Sequence, residues 1–241
     1  MGAAMDASGQ GWRNVAAYAL LVACLVGVHY VLAANPDAAR SAAQAAVFAW
    51  PFLGGASAAG FVGLIFWNLT SLRGLWDRDL GFAAKALVPL TLGAALGAIN
   101  IAVDRQTHLT TLVAAQMHLP SIHIAFPLSI PIYFGGAILV TILYYFVLLP
   151  PLYWLIAKVL KRNEPITYWT IGTLLALVEP LTQDLGEVMH YGGLAVPGLA
   201  CDLVLNFGQV ALLRRSGLVA AILFRVGYYA VWHVIYGLMQ A

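Results

Sequence analysis

Charge is what this sequence has least of. Of 241 residues, 12 are Lys or Arg and 10 are Asp or Glu, so 9% are charged, against about 25% in a typical soluble domain. Apolar residues make up 62%, and the mean hydropathy is +0.85. A water-soluble globule of this composition would lack the polar surface to cover itself, which excludes a soluble enzyme and a disordered chain alike. Cationic runs are missing too. None exceeds two residues, and a formal charge of +2 provides no basic stripe for nucleic acid. Cysteine is scarce: Cys24 and Cys201 both fall in apolar stretches without CxxC spacing, so neither a disulfide framework nor a redox motif is expected. There is no GxSxG elbow, nor a Ser at membrane depth beside a His, and a serine-hydrolase reading fails with them.

What the chain has in quantity is long apolar runs. A transmembrane helix needs about 20 mostly apolar residues, and that rule predicts seven spans, at 14–34, 43–69, 81–103, 131–159, 166–183, 194–213 and 217–239. Backbone polar groups in lipid must be satisfied within their own segment, so the expected fold is all-α, a polytopic transmembrane helical bundle. The stretch 106–130 is apolar in patches but broken by His and Pro. It reads as a re-entrant segment, an interfacial one, or a poor eighth span. The run 14–34 is longer than the usual signal-peptide core of about 7–15 residues, which makes it a retained helix.

Orientation follows from the cations. With the N-terminus in the cytoplasm, Arg13, Arg73, Arg78, Lys158, Lys161, Arg162, Arg214 and Arg215 lie inside. Arg40 and Arg105 lie outside, and Lys85 and Arg225 fall within helices. The organisation expected is a short cytoplasmic tail, 1–13, followed by one membrane domain, 14–241, with its C-terminus outside. The Gly-rich piece from Gly54 to Gly60 and the pair Gly93/Gly97 read as close helix-packing faces. Trp67, Trp76, Trp154, Trp169 and Trp232, near span ends, fit an aromatic belt.

Ionisable groups at membrane depth face the bundle interior and carry partners. Lys85 is near enough to a span end to snorkel, and His29 reads as a lone hydrogen-bonded histidine. Four others come from the last three spans. At about 1.5 Å per residue from the cytoplasmic end, Arg225 lies about 12 Å deep, Asp202 about 17 Å, Glu179 about 20 Å and His233 about 24 Å. A buried ion-pair cluster of Glu179, Asp202 and Arg225 is expected, because an unpaired charge there is strongly unfavourable. Glu187 and His190 have the i, i+3 spacing of a ligand pair, but a di-metal bundle needs a second copy. His108, His118 and His123 show no ligand spacing. Both sets read as solvated loop residues.

The C-terminal half resembles the CPBP family of intramembrane metalloproteases, also called Abi or CAAX-protease-like. The likeness covers about residues 130–240. It rests on Asn206-Phe207-Gly208, on Arg214-Arg215-Ser216-Gly217-Leu218-Val219-Ala220-Ala221-Ile222-Leu223, and on Tyr133-Phe134-Gly135-Gly136 with Tyr144-Tyr145 and Leu148-Leu149-Pro150. The family's chemistry is attributed to three motifs: Glu-Glu-x-x-x-Arg, Phe-x-x-x-His and His-x-x-x-Asn/Asp. In this chain the first is matched by Val140, Thr141 and Tyr145, the second ends on Glu179, and the third runs from Arg225 to Tyr229.

No matched position keeps a family ligand. Arg stays protonated and offers no acceptor to a metal, and without paired carboxylates no general base is evident. The resemblance therefore implies a catalytically silent CPBP-like protein without a cofactor, serving as scaffold, subunit or chaperone for membrane-protein partners within the lipid bilayer. The alternative is an active metallopeptidase with a rearranged zinc set of Glu179, Asp202 and His233. A transporter or small-molecule receptor is a third class. The Ala- and Gly-rich composition and short loops fit a prokaryotic inner membrane.

Overall fold

The computed structural model describes residues 2–35, 46–77 and 79–240. The start of the expected second span at 43, and Arg40 and Arg78 of the orientation argument, lie outside the described residues. All regular structure among the described residues is helical. The protein is an all-helical, polytopic membrane protein. Six helices are long and apolar enough to cross a bilayer. Five are α1 (Gly2–Ala33, with Gly9–Ala33 as its apolar part), α2 (Trp50–Asn68), α3 (Ala83–Thr107), α5 (Ser129–Val159) and α8 (Val196–Ser216), and the sixth is α9 (Leu218–Gln240). Helix α6 (Glu164–Gln183), which holds the expected span 166–183, has 20 residues and hence about 30 Å of length, but is less apolar and is not among the six. Residues 2–13 continue α1 as helix.

The stretch 106–130 contains one helix of eight residues, α4 (Leu109–Gln116). It is too short to cross a bilayer, which takes about 20 residues. His108, in the left-handed region at φ 53°, makes the break between α3 and α4. Asp104 secures the corner: its Oδ1 accepts the Thr110 N–H at 2.8 Å, and its Oδ2 accepts the Thr110 hydroxyl at 2.6 Å and that of Tyr236 at 2.8 Å. A second short helix, α7 (Leu185–Tyr191), follows α6.

Helices α3 and α9 are in such close contact that side chains are excluded between them. A Cβ on Gly93 would meet the carbonyl oxygen of Phe224, one on Gly227 would meet that of Leu90, and one on Gly97 would come within 2.8 Å of the Tyr228 oxygen. The Gly54–Gly60 piece packs only in part. Gly60 faces Tyr18 and Ile142, whereas Gly54 and Gly55 look into open space. Two of the five tryptophans are core rather than belt. Trp67 is 1% exposed and donates its indole N–H to the Arg73 carbonyl at 2.8 Å, and Trp232 is buried as well.

The cationic end of the bundle is closed by polar loop contacts. Asn14 on α1 donates to Asn68 at 2.7 Å and accepts the Leu75 N–H at 2.8 Å, while the Leu75 carbonyl receives the N–H of Val219 at the start of α9. Glu164 binds Lys158 at 2.5 Å, Ser71 at 2.7 Å and Tyr153 at 3.0 Å. The ammonium of Lys158 and these two hydroxyls hold its carboxyl down to about 2. Lys85 reaches the Asp77 carbonyl at 3.1 Å and lies 4.6 Å over the Trp76 ring. His29 shares a 2.8 Å hydrogen bond with the Phe48 carbonyl oxygen.

Wide helical turns, in which an N–H reaches the fifth residue back instead of the fourth, occur in α3, α5 and α9. Such turns insert an extra residue and redirect side chains, and they recur at functional sites. One spans Ile142–Phe146 in α5 and another Ala230–Ile235 in α9. Both flank the buried polar centre.

Candidate functional site

Arg225, 1% exposed, is the centre of a polar network set in an apolar bundle. Helix α9 brings it in on the face that also carries Ala221 and Tyr228, all buried where α9 packs against α3, α5 and α8. Glu179, 5% exposed, comes from α6 one residue before the in-helix Pro180. The guanidinium engages the carboxylate with two parallel bonds, Nη1 to Oε1 and Nη2 to Oε2, each 2.6 Å. This fork geometry is the strong form of the ion pair, available to Arg and not to Lys.

The remaining N–H groups are also taken. Nε and Nη2 donate to Gln209 Oε1 at 2.9 and 2.6 Å, Nη2 to Asn206 Oδ1 at 3.1 Å, and Nη1 to the Tyr229 hydroxyl at 3.0 Å. A guanidinium has five N–H donors, and every nitrogen here has an acceptor. Outer partners hold the acceptors in turn. Tyr145 donates to Asn206 Oδ1, and the Gln209 amide nitrogen donates to Thr141 at 2.9 Å and to the Ala221 carbonyl at 3.2 Å. A charge in a low-dielectric interior is tolerable when it is paired and hydrogen-bonded to this degree.

Thr141, Tyr145, Glu179, Arg225 and Tyr229 therefore meet in one network, linked through Asn206 and Gln209. Val140 is half-buried beside them on α5. Asp202 stands at the edge. Its Oδ1 accepts the Tyr228 hydroxyl at 3.1 Å, and its backbone carbonyl accepts from Asn206. Tyr228 also accepts from Asn100 at 2.7 Å.

From this centre a cavity of about 210 Å³ opens towards α7, lined by Glu179, Asp184, Glu187, Asp202, Arg225 and Tyr229 among others. Five carboxylates, counting Asp104, share that lining with a single guanidinium. Asp184, in the turn after α6, presses its carboxyl against that of Asp202, and among the described residues no donor reaches its buried Oδ2. Two carboxylates in contact cannot both ionise freely. Burial, and then the negative charges of Asp202 and Glu187, push the Asp184 carboxyl up to about 8. Burial raises Glu187 as well.

His233 faces His123 rather than Glu179. Their Nδ1 atoms are 3.2 Å apart, and the His233 ring stacks on Tyr133 at 4.2 Å. His123, expected as a solvated loop residue, is 2% exposed. Its loop folds inward because Trp232, Tyr236 and His233 present an aromatic face to it. His108 and His118 both adopt left-handed turn conformations, and the Glu187/His190 pair sits on α7, which buries no residue.

A zinc ion does not fit the donors Glu179, Asp202 and His233. Both oxygens of Glu179 already hold Arg225, a fixed positive charge that would oppose the metal, and His233 is engaged elsewhere. Among the described residues no group of three His, Cys, Asp or Glu stands close enough to hold a metal. Sequence reasoning missed Gln209, Asn206 as a ligand of Arg225, Asp184 and Asp104. The first two are neutral and i, i+3 on one face of α8, a signal the search for charges passes over. Comparison with family models, curated proteins and solved structures finds no match.

Proposed function

We propose that this is a catalytically silent membrane protein of CPBP-like architecture, in which the guanidinium of Arg225 stands where a relative would hold a catalytic metal. It works as a scaffold, subunit or chaperone for other membrane proteins. One observation carries this reading: Arg225 engages both oxygens of Glu179 while Gln209, Asn206 and Tyr229 take its other N–H bonds. Both oxygens of Glu179 are taken by Arg225, so among the described residues the matched motif positions offer neither a free carboxylate base nor an open coordination position, and the centre is not armed for hydrolysis. Convergence of five motif-matched positions from three helices supports the resemblance. In this reading α6 is a seventh span. The N-terminus is cytoplasmic, because Arg13, Arg73, Arg214 and Arg215 gather around adjoining cavities at one end of the bundle. The membrane is a prokaryotic inner membrane.

Purification from native membranes in mild detergent tests the scaffold role. The expected result is a second membrane protein co-eluting at fixed stoichiometry. A monomer with no accompanying chain contradicts it.

The cavity favours a second reading, that of a receptor or transporter for a small cation, because the charged residues of its lining are carboxylates but for Arg225, and it reaches the ion pair from the bundle end that carries α7. Binding of an organic amine to the reconstituted protein, abolished by Asp202→Asn, would support this reading over the first.

A further inference from the structure

At the opposite end from the acidic cavity, α3, α6 and α8 enclose a second and larger space of about 820 Å³. Its two ends differ in chemistry. One is polar and cationic, formed by Ser71, Arg73, Arg214, Arg215 and Ser216. The other is formed by Val88 and Leu92 of α3, Leu212 of α8 and Trp169 of α6. Val88, Leu92 and Trp169 are 45%, 52% and 43% exposed on helices that face lipid. An apolar wall running along membrane helices into a cationic mouth has the polarity profile of a phospholipid.

Two of the three cations at the mouth, Arg214 and Arg215, are free to act. Among the described residues Glu164 is the one carboxylate in the lining, and Lys158 neutralises it at 2.5 Å. Arg73 is paired with Asp77 at 2.5 Å. Arg214 lies 4.7 Å over the face of Tyr168, which fixes its position without cancelling its charge, and Arg215 is exposed. Among the described residues neither Arg214 nor Arg215 has a carboxylate partner within ion-pair distance. Both sit in the last turn of α8, where cations also suit the helix dipole. That suitability accounts for their sign. It does not account for a cavity that joins them to a bilayer-facing groove. Basic pockets between membrane helices at the headgroup level recognise anionic lipids, and the volume lies in the range of ligand sites.

We propose that this groove binds one anionic phospholipid. Its phosphate-bearing headgroup lies between Arg214 and Arg215, with Ser216 as a further hydroxyl donor, and an acyl chain lies along Val88, Leu92 and Trp169. The inference is independent of the scaffold reading, since it uses no residue of the Arg225 network.

Native mass spectrometry of the full-length protein tests it, with phosphatidylglycerol and phosphatidylcholine of identical acyl chains titrated in turn. The expected result is retention of one phosphatidylglycerol per chain, at least about tenfold in preference to phosphatidylcholine. In R214Q/R215Q the preference falls by about tenfold or more. In K161Q/R162Q, whose exposed cations lie outside the groove, it is unchanged. Thermal melting of each variant establishes that it is folded. Three results overturn the proposal: equal retention of the two lipids, wild-type preference in folded R214Q/R215Q, or displacement of the lipid by millimolar inorganic phosphate. The last would mean that the mouth reads a free anion and the groove contributes nothing.

Discussion

Gln209 Oε1 accepts two N–H bonds from Arg225, from Nε at 2.9 Å and from Nη2 at 2.6 Å, while its amide nitrogen is held by Thr141 on a third helix. A neutral side chain thus sets the orientation of the buried cation that Glu179 neutralises. Gln209→Leu keeps the volume near its original value but leaves the Nε N–H of the guanidinium without an acceptor and leaves Nη2 with only Glu179 and Asn206. Each unsatisfied buried donor costs about 1–3 kcal/mol. Thermal unfolding in detergent should show a clearly lowered midpoint for Gln209→Leu. An unchanged midpoint would mean that water supplies the acceptor.

The Glu179–Arg225 pair makes a prediction about non-additivity. Removing either partner leaves a buried charge alone, at a cost of about 3–5 kcal/mol, whereas replacing both by apolar residues is often close to neutral. Glu179→Leu and Arg225→Leu should each destabilise strongly, and the double variant Glu179→Leu/Arg225→Leu should be more stable than either. Additive losses in this cycle would show that the two side chains do not act as a pair.

Asp184 predicts a pH dependence whose sign follows from its raised pKa. Between its ordinary value of 3.8 and about 8 the folded state holds a proton that the unfolded chain has released. Stability therefore falls as pH rises through that window and levels off above it. Asp184→Asn needs no proton at this position. Its melting midpoint should decline less from about pH 5 to about pH 8 than that of the wild type, and parallel curves would remove Asp184 as the cause.

Close approach of α3 and α9 predicts a contrast between glycines. Gly227→Val drives a side chain into the Leu90 carbonyl, which belongs to a helix backbone and has little freedom to move. Overpacking of this kind costs about 1–3 kcal/mol or more. Gly54→Ala meets nothing within 4 Å and should leave monodispersity and melting unchanged. Size-exclusion profiles of the two variants check this directly, and equal behaviour would contradict the packing described.

The membrane class and helical architecture were legible from hydropathy alone, because lipid imposes length and apolarity on each span. The fold of 106–130 was not. Its inward turn depends on Trp232 and Tyr236, more than a hundred residues away, receiving His123, and on Asp104 capturing Thr110. Local pattern carries neither contact. Trp67 was misplaced for a similar reason: nearness to a span end predicts a belt position, yet the loop carbonyl of Arg73 gives its indole an interior partner. At the buried centre, cost arguments single out charges, so Glu179, Asp202 and Arg225 stood out. Asn206 and Gln209 carry no charge, and their role appears only once α8 is docked against α9. Asp184 lies just beyond a helix end, where a carboxylate is ordinarily solvated.

Replacement of a metal by Arg225 is the claim on which the functional reading depends, and metal analysis tests it most directly. Wild type and Glu179→Ala, each equilibrated with zinc, washed and assayed by mass spectrometry for bound metal, should both carry none at a fixed ratio to protein. About one zinc per chain in the wild type, lost in Glu179→Ala, would contradict the account and make a rearranged metallopeptidase the better reading.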